Sequence, residues 1–252
     1  HHDFSAVLSN GFDTMVICDF TGKIRGHEQL KQPENPPSFA PNRLQAIAEW
    51  TTDDRVAVVL NRSGDILIFR SKELVFARRS GRWHYLKHLP ILTQMGRPSN
   101  INVRKAVYES ALDASFARTG ACLGVVLAVN ANKWKKVATS PSDYLSPATS
   151  PKTKALASMI GGLTFQKIDR RLRQELLAID GATILDHRGV ILAVGAILKI
   201  GGGSTGGGRL AAAQALSSLG LGIKVSQDGG IRAFHESFDH ILEPFDEVFS
   251  IM

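Results

Sequence analysis

Residues 201–208 read Gly-Gly-Gly-Ser-Thr-Gly-Gly-Gly, and Arg209 follows them directly. The apolar run before the tract, residues 190–198, has the pattern of a buried strand. The stretch after it, 209–219, is alanine-rich and helical in spacing. Glycine at that density continues neither element, so the chain must pass from strand to helix here. Such a passage presents backbone N–H groups, and a helix starting at once adds its unpaired donors and the positive end of its dipole. Arg209 at the helix mouth supplies a planar guanidinium suited to phosphate. Two readings stand: a phosphate cradle made by Gly206, Gly207, Gly208 and Arg209, or a flexible linker. A Walker loop is excluded, because no Lys-Ser/Thr pair follows the glycines. The dinucleotide fingerprint is excluded too, for want of an acidic residue ~20 positions on at the end of a second parallel strand.

The other bulk properties narrow the setting. With 252 residues, 44% hydrophobic and 21% charged, the chain can bury one large core or two small ones. The formal net charge of +7 and a pI near 9.6 point to anionic partners, nucleotides or nucleic acid. Two cysteines, Cys18 and Cys122, cannot make a disulfide framework or a cysteine-rich zinc site, so a reducing, cytoplasmic setting is expected. No apolar stretch approaches the ~20 residues of a spanning helix. His1-His2 reads as the remnant of a purification tag, which implies a piece of a longer protein.

Residues 1–97 are expected to form a β-rich domain. A β-branched strand at 14–19 meets a Thr21-Gly22 turn, and four prolines between 28 and 42 enforce a loop. A short helix fits 43–51. Two hairpins follow, 55–60 with 65–70 and 74–78 with 83–86. Arg70, Lys72, Arg78, Arg79, Arg82 and Lys87 cluster there with Trp83 and Tyr85 between them. That pattern suits a nucleic-acid surface, and equally the solvated face of strands packed on their other side.

Residues 98–252 are expected to be an α/β domain with a mixed sheet, capped on both faces. Asn102 is placed to cap a helix running to Arg118, and 121–129 reads as a buried strand. Helices fit 152–159 and 163–177, the second with Lys167, Arg170, Arg171 and Arg173 on a polar side. Strands at 182–185 and 190–198 flank a turn carrying His187. After the glycine tract and its helix, 221–226 and 231–234 form a hairpin, and the acidic tail from His235 is read as helical, then loose.

Two short motifs accompany the glycine tract. Asp180-Gly181-Ala182 opens a strand, where an Asp can hold a metal or receive a hydroxyl proton while the backbone approaches a ligand; Asp-Gly is also a turn dipeptide. Val225-Ser226-Gln227-Asp228-Gly229-Gly230 reads as a hairpin turn. In order and spacing, the three motifs resemble the diadenylate cyclase (DAC) domain family, of the DisA N-terminal type. That family carries Asp-Gly-Ala, then Gly-Thr-Arg-His-Arg-Ala-Ala opening a helix, then a Val-Ser-Glu-Glu turn. Here the helix motif is Gly207-Gly208-Arg209-Leu210-Ala211-Ala212-Ala213, and the resemblance spans roughly residues 100–235.

The resemblance implies a DAC-like nucleotide-binding domain working as a homo-oligomer, two domains face to face, each with ATP and a divalent metal, Mg or Mn. It gives Asp180 the catalytic role, positioning metal and attacking 3′-hydroxyl, and makes Asp228 the second metal ligand. Gly181, Ala182, Gly206, Gly207, Gly208, Arg209 and Ser226 would contact nucleotide and phosphate. The departures fall on the phosphate grip: Leu210 stands in place of His, Ala211 in place of the second Arg, and Gly208 in place of Thr. Phosphoryl transfer rests on positioning and charge stabilisation, so losing two such ligands costs several kcal/mol, on the order of two lost electrostatic contacts. The expected function is therefore a sensor of an adenine nucleotide or cyclic dinucleotide with weak or no cyclase activity. The alternative is an active diadenylate cyclase, with Lys199, Arg188 or another subunit's cation as replacement. A nucleic-acid-binding module on the basic hairpins is the third.

Overall fold

The computed structural model describes residues 8–96, 99–199, 207–236 and 245–251. The chain divides into two compact units, 1–88 and 89–252, a few residues before the 97/98 boundary expected from composition.

In the first unit, β1 (Thr14–Cys18) and β2 (Ile24–Gln29) form an antiparallel pair. Asp19 organises their turn by accepting from Thr21 Oγ1 and from the backbone of Thr21 and Lys23, with Arg25 paired at 2.6 Å. The Thr21 hydroxyl leads in holding its carboxyl below the ordinary range. A short helix, α1 (Gln45–Trp50), precedes a four-stranded meander of β3 (Val56–Leu60), β4 (Ile66–Arg70), β5 (Glu73–Arg79) and β6 (Arg82–Tyr85). Alternation sends Ala57, Val59, Leu67, Phe69, Leu74 and Ala77 to one buried face. Arg79 joins that face, nine-tenths and more buried beside Asp65 at 3.5 Å. It therefore leaves the surface cluster that composition assigned it to.

His88 opens α2 (His88–Gln94) and is 3% exposed. Its Nε2–H donates to the Leu74 carbonyl at 2.7 Å, and its ring stacks on Phe39. Burial pushes its pKa down to about 4, against an ordinary 6.5. Between those values the unfolded chain takes up a proton that the folded chain does not, so stability falls as pH drops through the window. The expected loss is about 3 kcal/mol from pH 6.5 to 4, read from thermal unfolding of the full chain. His88→Gln should flatten that part of the profile; an unchanged slope would place the acid sensitivity elsewhere.

In the second unit, α3 (Ile101–Ala117) is capped by Asn100, whose side chain accepts from Val103 N, two residues before the expected Asn102. It ends at Arg118 in the left-handed region, φ 56°. Six strands make one sheet, with β7 (Ala121–Val126), β8 (Ala182–Asp186), β9 (Ile191–Ala196), β10 (Gly220–Val225), β11 (Ile231–Glu236) and β12 (Phe245–Ile251) in the spatial order β12-β11-β10-β7-β8-β9. Only β7 and β8 run parallel among these pairings, so the sheet is mixed. The expected α/β class holds. The acidic tail does not follow its helical reading: 245–251 is an antiparallel edge strand on β11, in which Phe245, Val248, Phe249 and Ile251 are strand-favouring residues. Residues 237–244 of the tail lie outside the described residues.

Helix α4 (Trp134–Val137) and α5 (Pro151–Ile160) lie in the crossover from β7 to β8, followed by α6 (Arg170–Ala178). Ser150 and Thr153 form a reciprocal capping box on α5, with proline in the first turn. The expected 163–177 helix is split, a 3-10 turn at Phe165–Lys167 preceding α6, because Asp169 caps a new start. Two of the arginines read as solvent-facing are instead buried ion-pair partners of α3. Arg170 grips Asp113 through two nitrogens at 2.7 and 2.9 Å, and Arg173 reaches Glu109 at 2.9 Å.

Helix α7 (Gly208–Ser217) packs on one face of the sheet. Gly124 and Gly222 are register partners there. A Cβ on Gly222 would lie 1.8 Å from the Ala213 carbonyl oxygen, and one on Gly124 2.8 Å from Leu216 Cδ2. Helix and sheet thus meet backbone to backbone, over a core of Cys122, Val126, Ala182, Ile184, Ala213 and Leu216. The alternate residues Leu123 and Val125 are buried on the other face, where α3 and α6 contact these strands. Among the described residues no helix is long and apolar enough to cross a membrane.

Candidate functional site

The register of the sheet decides where the three motifs go. Cys122 on β7 is level with Ala182 on parallel β8, Ala121 with Val225 at the end of β10, and Ala182 with Ala196 at the end of β9. Gly120, Asp180-Gly181 and Ser226–Asp228 therefore sit at one end of the sheet, on three adjacent strands. With strands ~4.8 Å apart, the heads of β8 and the end of β10 are about 10 Å from each other across β7.

Arg209 joins them from α7. Its guanidinium lies where a Cβ on Gly120 would come within 2.7 Å of Nη1, with Gln227 Cγ at 3.3 Å from the same point. Gly120 has φ +66° and is the residue whose missing side chain makes room for the arginine. Arg209 is half-buried and forms no hydrogen bond or ion pair among the described residues. Its charge is felt by Cys122, whose thiol burial nonetheless pushes up to about 12; that cysteine is a core residue and not a nucleophile.

Gly207 is the N-cap residue just before α7, exposed and at φ +82°, which glycine alone adopts freely. Gly208 is also exposed, yet its φ is ordinary and a side chain there would meet nothing within 4 Å. The fold does not demand glycine at that position, so its effect is to leave the helix mouth open. Gly206 and the rest of the tract from residue 201 lie outside the described residues.

Asp180 is exposed at the head of β8, its Oδ1 accepting, among the described residues, only from the next backbone N–H, that of Gly181, at 3.1 Å. Gly181, at φ +103°, passes so close to Gly195 that a Cβ would lie 2.5 Å from its carbonyl carbon. This pass fixes the Asp180 backbone against the end of β9. Ala182 is buried in the core, so only its backbone is available to a ligand. Ser226 is half-buried and its backbone is closed in the turn, N–H to Gly230 O and carbonyl from Gly229 N. Asp228 is exposed and accepts from Gly230 N at 3.2 Å. Ser115 of α3 holds the same turn from below by donating to the Gly229 carbonyl.

The structure also relocates two residues. His187 and Arg188 belong to the β8–β9 turn, at the far end of β8 from Asp180, and Arg188 pairs with Asp186 at 3.1 Å. Neither can serve this site. Lys152 does come near: its Nζ lies 3.6 Å from where a Gly195 Cβ would be, paired with Asp143. Thr119, beside Gly120, has a buried hydroxyl with no hydrogen-bond partner. By sequence, Thr119 and Gly120 lie just past a helix that ends at Arg118, and Lys152 opens another helix. Only the pairing of β7 with β8 reveals that both border the site.

Among the described residues no three His, Cys, Asp or Glu side chains converge on a metal position. Magnesium is commonly held by one or two carboxylates together with substrate phosphates, and two exposed carboxylates, Asp180 and Asp228, fit that mode.

No family model and no curated protein matches the chain. Solved structures do show similarity to it. A protein described as a hypothetical membrane spanning protein from Bacillus cereus is 16% identical with a TM-score of 0.36, over 50% of this chain and 56% of that one. A double mutant of DacA from Staphylococcus aureus is also 16% identical, with a TM-score of 0.37, over 59% of this chain and 86% of that one. The chain thus spans little more than half the length of the first of these.

Proposed function

We propose that the 89–252 unit is a DAC-like domain that binds an adenine nucleotide, ATP or cyclic di-AMP, at the sheet end built by Gly120, Asp180, Arg209 and Asp228. It acts as a sensor and turns over little or no substrate. The observation that carries this reading is Arg209, an arginine without an ion-pair partner among the described residues, held between an open helix N-terminus and the 226–230 turn. A cation in that setting suits phosphate oxygens. The order of the motifs, which resembles that of diadenylate cyclases, supplies the nucleotide class.

The loss of His and the second Arg favours binding over catalysis. Leu210 and Ala211 point no cation at a phosphate, and Ala211 is buried. An active cyclase is the second reading, favoured by Asp180 and Asp228 both standing exposed at this end. There Asp180 would orient the attacking hydroxyl, Lys152 or Lys199 would supply missing charge, and an Mg or Mn ion held by the two carboxylates would neutralise phosphate.

A thermal-shift panel of ATP, ADP, AMP and cyclic di-AMP, run with Mg²⁺ or Mn²⁺ and followed by product analysis, separates the readings. A ligand at about a hundred times its Kd stabilises by about 2.7 kcal/mol, an easily read shift. Arg209→Ala should weaken nucleotide binding about ten- to hundredfold, the scale of one charge-assisted contact, without lowering the melting temperature of the free protein. Cyclic di-AMP formed from ATP and abolished by Asp180→Asn would overturn the sensor reading. No shift with any nucleotide at millimolar concentration would overturn both.

A further inference from the structure

The four-stranded sheet of the first unit has a second face that the fold leaves uncovered. Register aligns Val58, Ile68, Phe76 and Tyr85 in one row across all four strands, and Leu60, Ile66, Arg78 and Trp83 in the next. Val56, Val58, Leu60, Phe76, Trp83 and Tyr85 are 39–68% exposed. Solvated sheet faces are ordinarily polar, so a face like this marks an interaction surface.

Its composition is graded. The β3–β4 side is aliphatic, whereas the β5–β6 side carries aromatic rings among cations. Phe76 and Tyr85 stack at 5.0 Å, Lys87 stands over Tyr85 at 5.6 Å, and Arg78 is the register partner of Trp83. Arg70 and Arg78 are exposed and hold no ion pair among the described residues. Glu73 is the one acidic residue on these four strands, and burial raises its carboxyl above the ordinary range. Lys72 is already matched by Glu49 at 2.6 Å.

We infer that this face binds single-stranded nucleic acid, with bases stacking on Trp83, Tyr85 and Phe76 and phosphates met by Arg70, Arg78 and Lys87. The argument is charge complementarity joined to ring exposure: a cationic surface bearing flat, accessible aromatic faces matches a polyanion whose bases are unstacked. A second copy of the chain is disfavoured, because face-to-face pairing sets these cations against themselves, a like-charge arrangement that costs several kcal/mol. Duplex nucleic acid keeps its bases stacked and offers this surface only its backbone.

The test uses the full chain and fluorescein-labelled oligo(dT) and oligo(rU) of about 20 nucleotides, followed by anisotropy. Three neutralised phosphates imply that affinity falls roughly 20-fold between 50 and 200 mM salt. Trp83→Ala and Tyr85→Ala, both exposed, should each weaken binding about tenfold, and a duplex of the same length should bind more weakly than either strand. No anisotropy change at ~50 mM salt with ~100 μM protein would overturn the inference. So would binding indifferent to both substitutions. A dimer dissociated by Trp83→Ala, with no oligonucleotide bound, would assign the face to self-association instead. Trp83→Ala leaves the nucleotide thermal shift of the second unit unchanged, so failure of either proposal is read separately.

Discussion

Gly222→Ala is expected to destabilise the second unit by more than about 3 kcal/mol, although it adds one methyl group. The added carbon would fall 1.8 Å from the Ala213 carbonyl oxygen and 3.1 Å from the Ser217 nitrogen, both backbone atoms of α7. No rotamer change can relieve a contact of that kind. Helix α7 must lift from β10, and the small residues at the interface, Ala212 and Ala213, then lose their packing against the sheet. A domain with a usual stability of ~5–15 kcal/mol would be left with little margin. Because α7 also carries Arg209, nucleotide binding should fail together with folding. Chemical denaturation of Gly222→Ala beside Gly208→Ala checks the point: the second substitution meets open space and should cost less than about 1 kcal/mol. Equal, small losses in both would mean that the helix sits further from the sheet than the structure places it.

The second large effect lies on the opposite face. Asp113→Ala removes the carboxylate that faces Arg170 through two nitrogens in a setting where the aspartate side chain is 1% exposed. Removing one partner leaves a buried charge uncompensated, typically 3–5 kcal/mol. Replacing both by apolar residues of similar volume, Asp113→Leu with Arg170→Met, should recover much of the loss, since the pair itself stabilises little over a well-packed apolar contact. Urea unfolding of the single and double variants measures this. A double variant no better than Asp113→Ala alone would show that Arg170 is held for a reason other than its charge.

These two sites show what the sequence reveals and what it withholds. The strands of both units follow from period-two patterns and turn residues, and β7–β10 are found nearly where the residues suggest. Arg170 and Arg173 were misread because a charged residue at helical spacing looks the same whether it faces water or a buried carboxylate; the partners, Asp113 and Glu109, stand 57 and 64 residues away. The 245–251 strand does not show in the sequence because Asp246 and Glu247 are adjacent, as are Val248 and Phe249, so no strict alternation marks it. At the site, Asp180, Arg209 and Asp228 were visible as motif members. Gly120, Thr119 and Lys152 were not, since what places them there is strand register, which no local pattern encodes. The cationic residues of the first unit were legible as a cluster, but not the exclusion of Arg79 or the aliphatic half of the exposed face.

The parallel contact between β7 and β8 carries a consequence for how the second unit folds. Antiparallel neighbours can zip from a tight turn, but these two strands meet only after the whole crossover of α4, α5 and α6 has been closed into a loop. The Ser115–Gly229 contact closes a still larger one, 114 residues long. Loop closure of this kind is entropically costly before any contact rewards it, which makes such topologies slow to form. Every group at the sheet end belongs to those late pairings. An immature chain therefore has helices and hairpins but not the assembled sheet end, and the proposed nucleotide site exists only in a molecule whose sheet is complete.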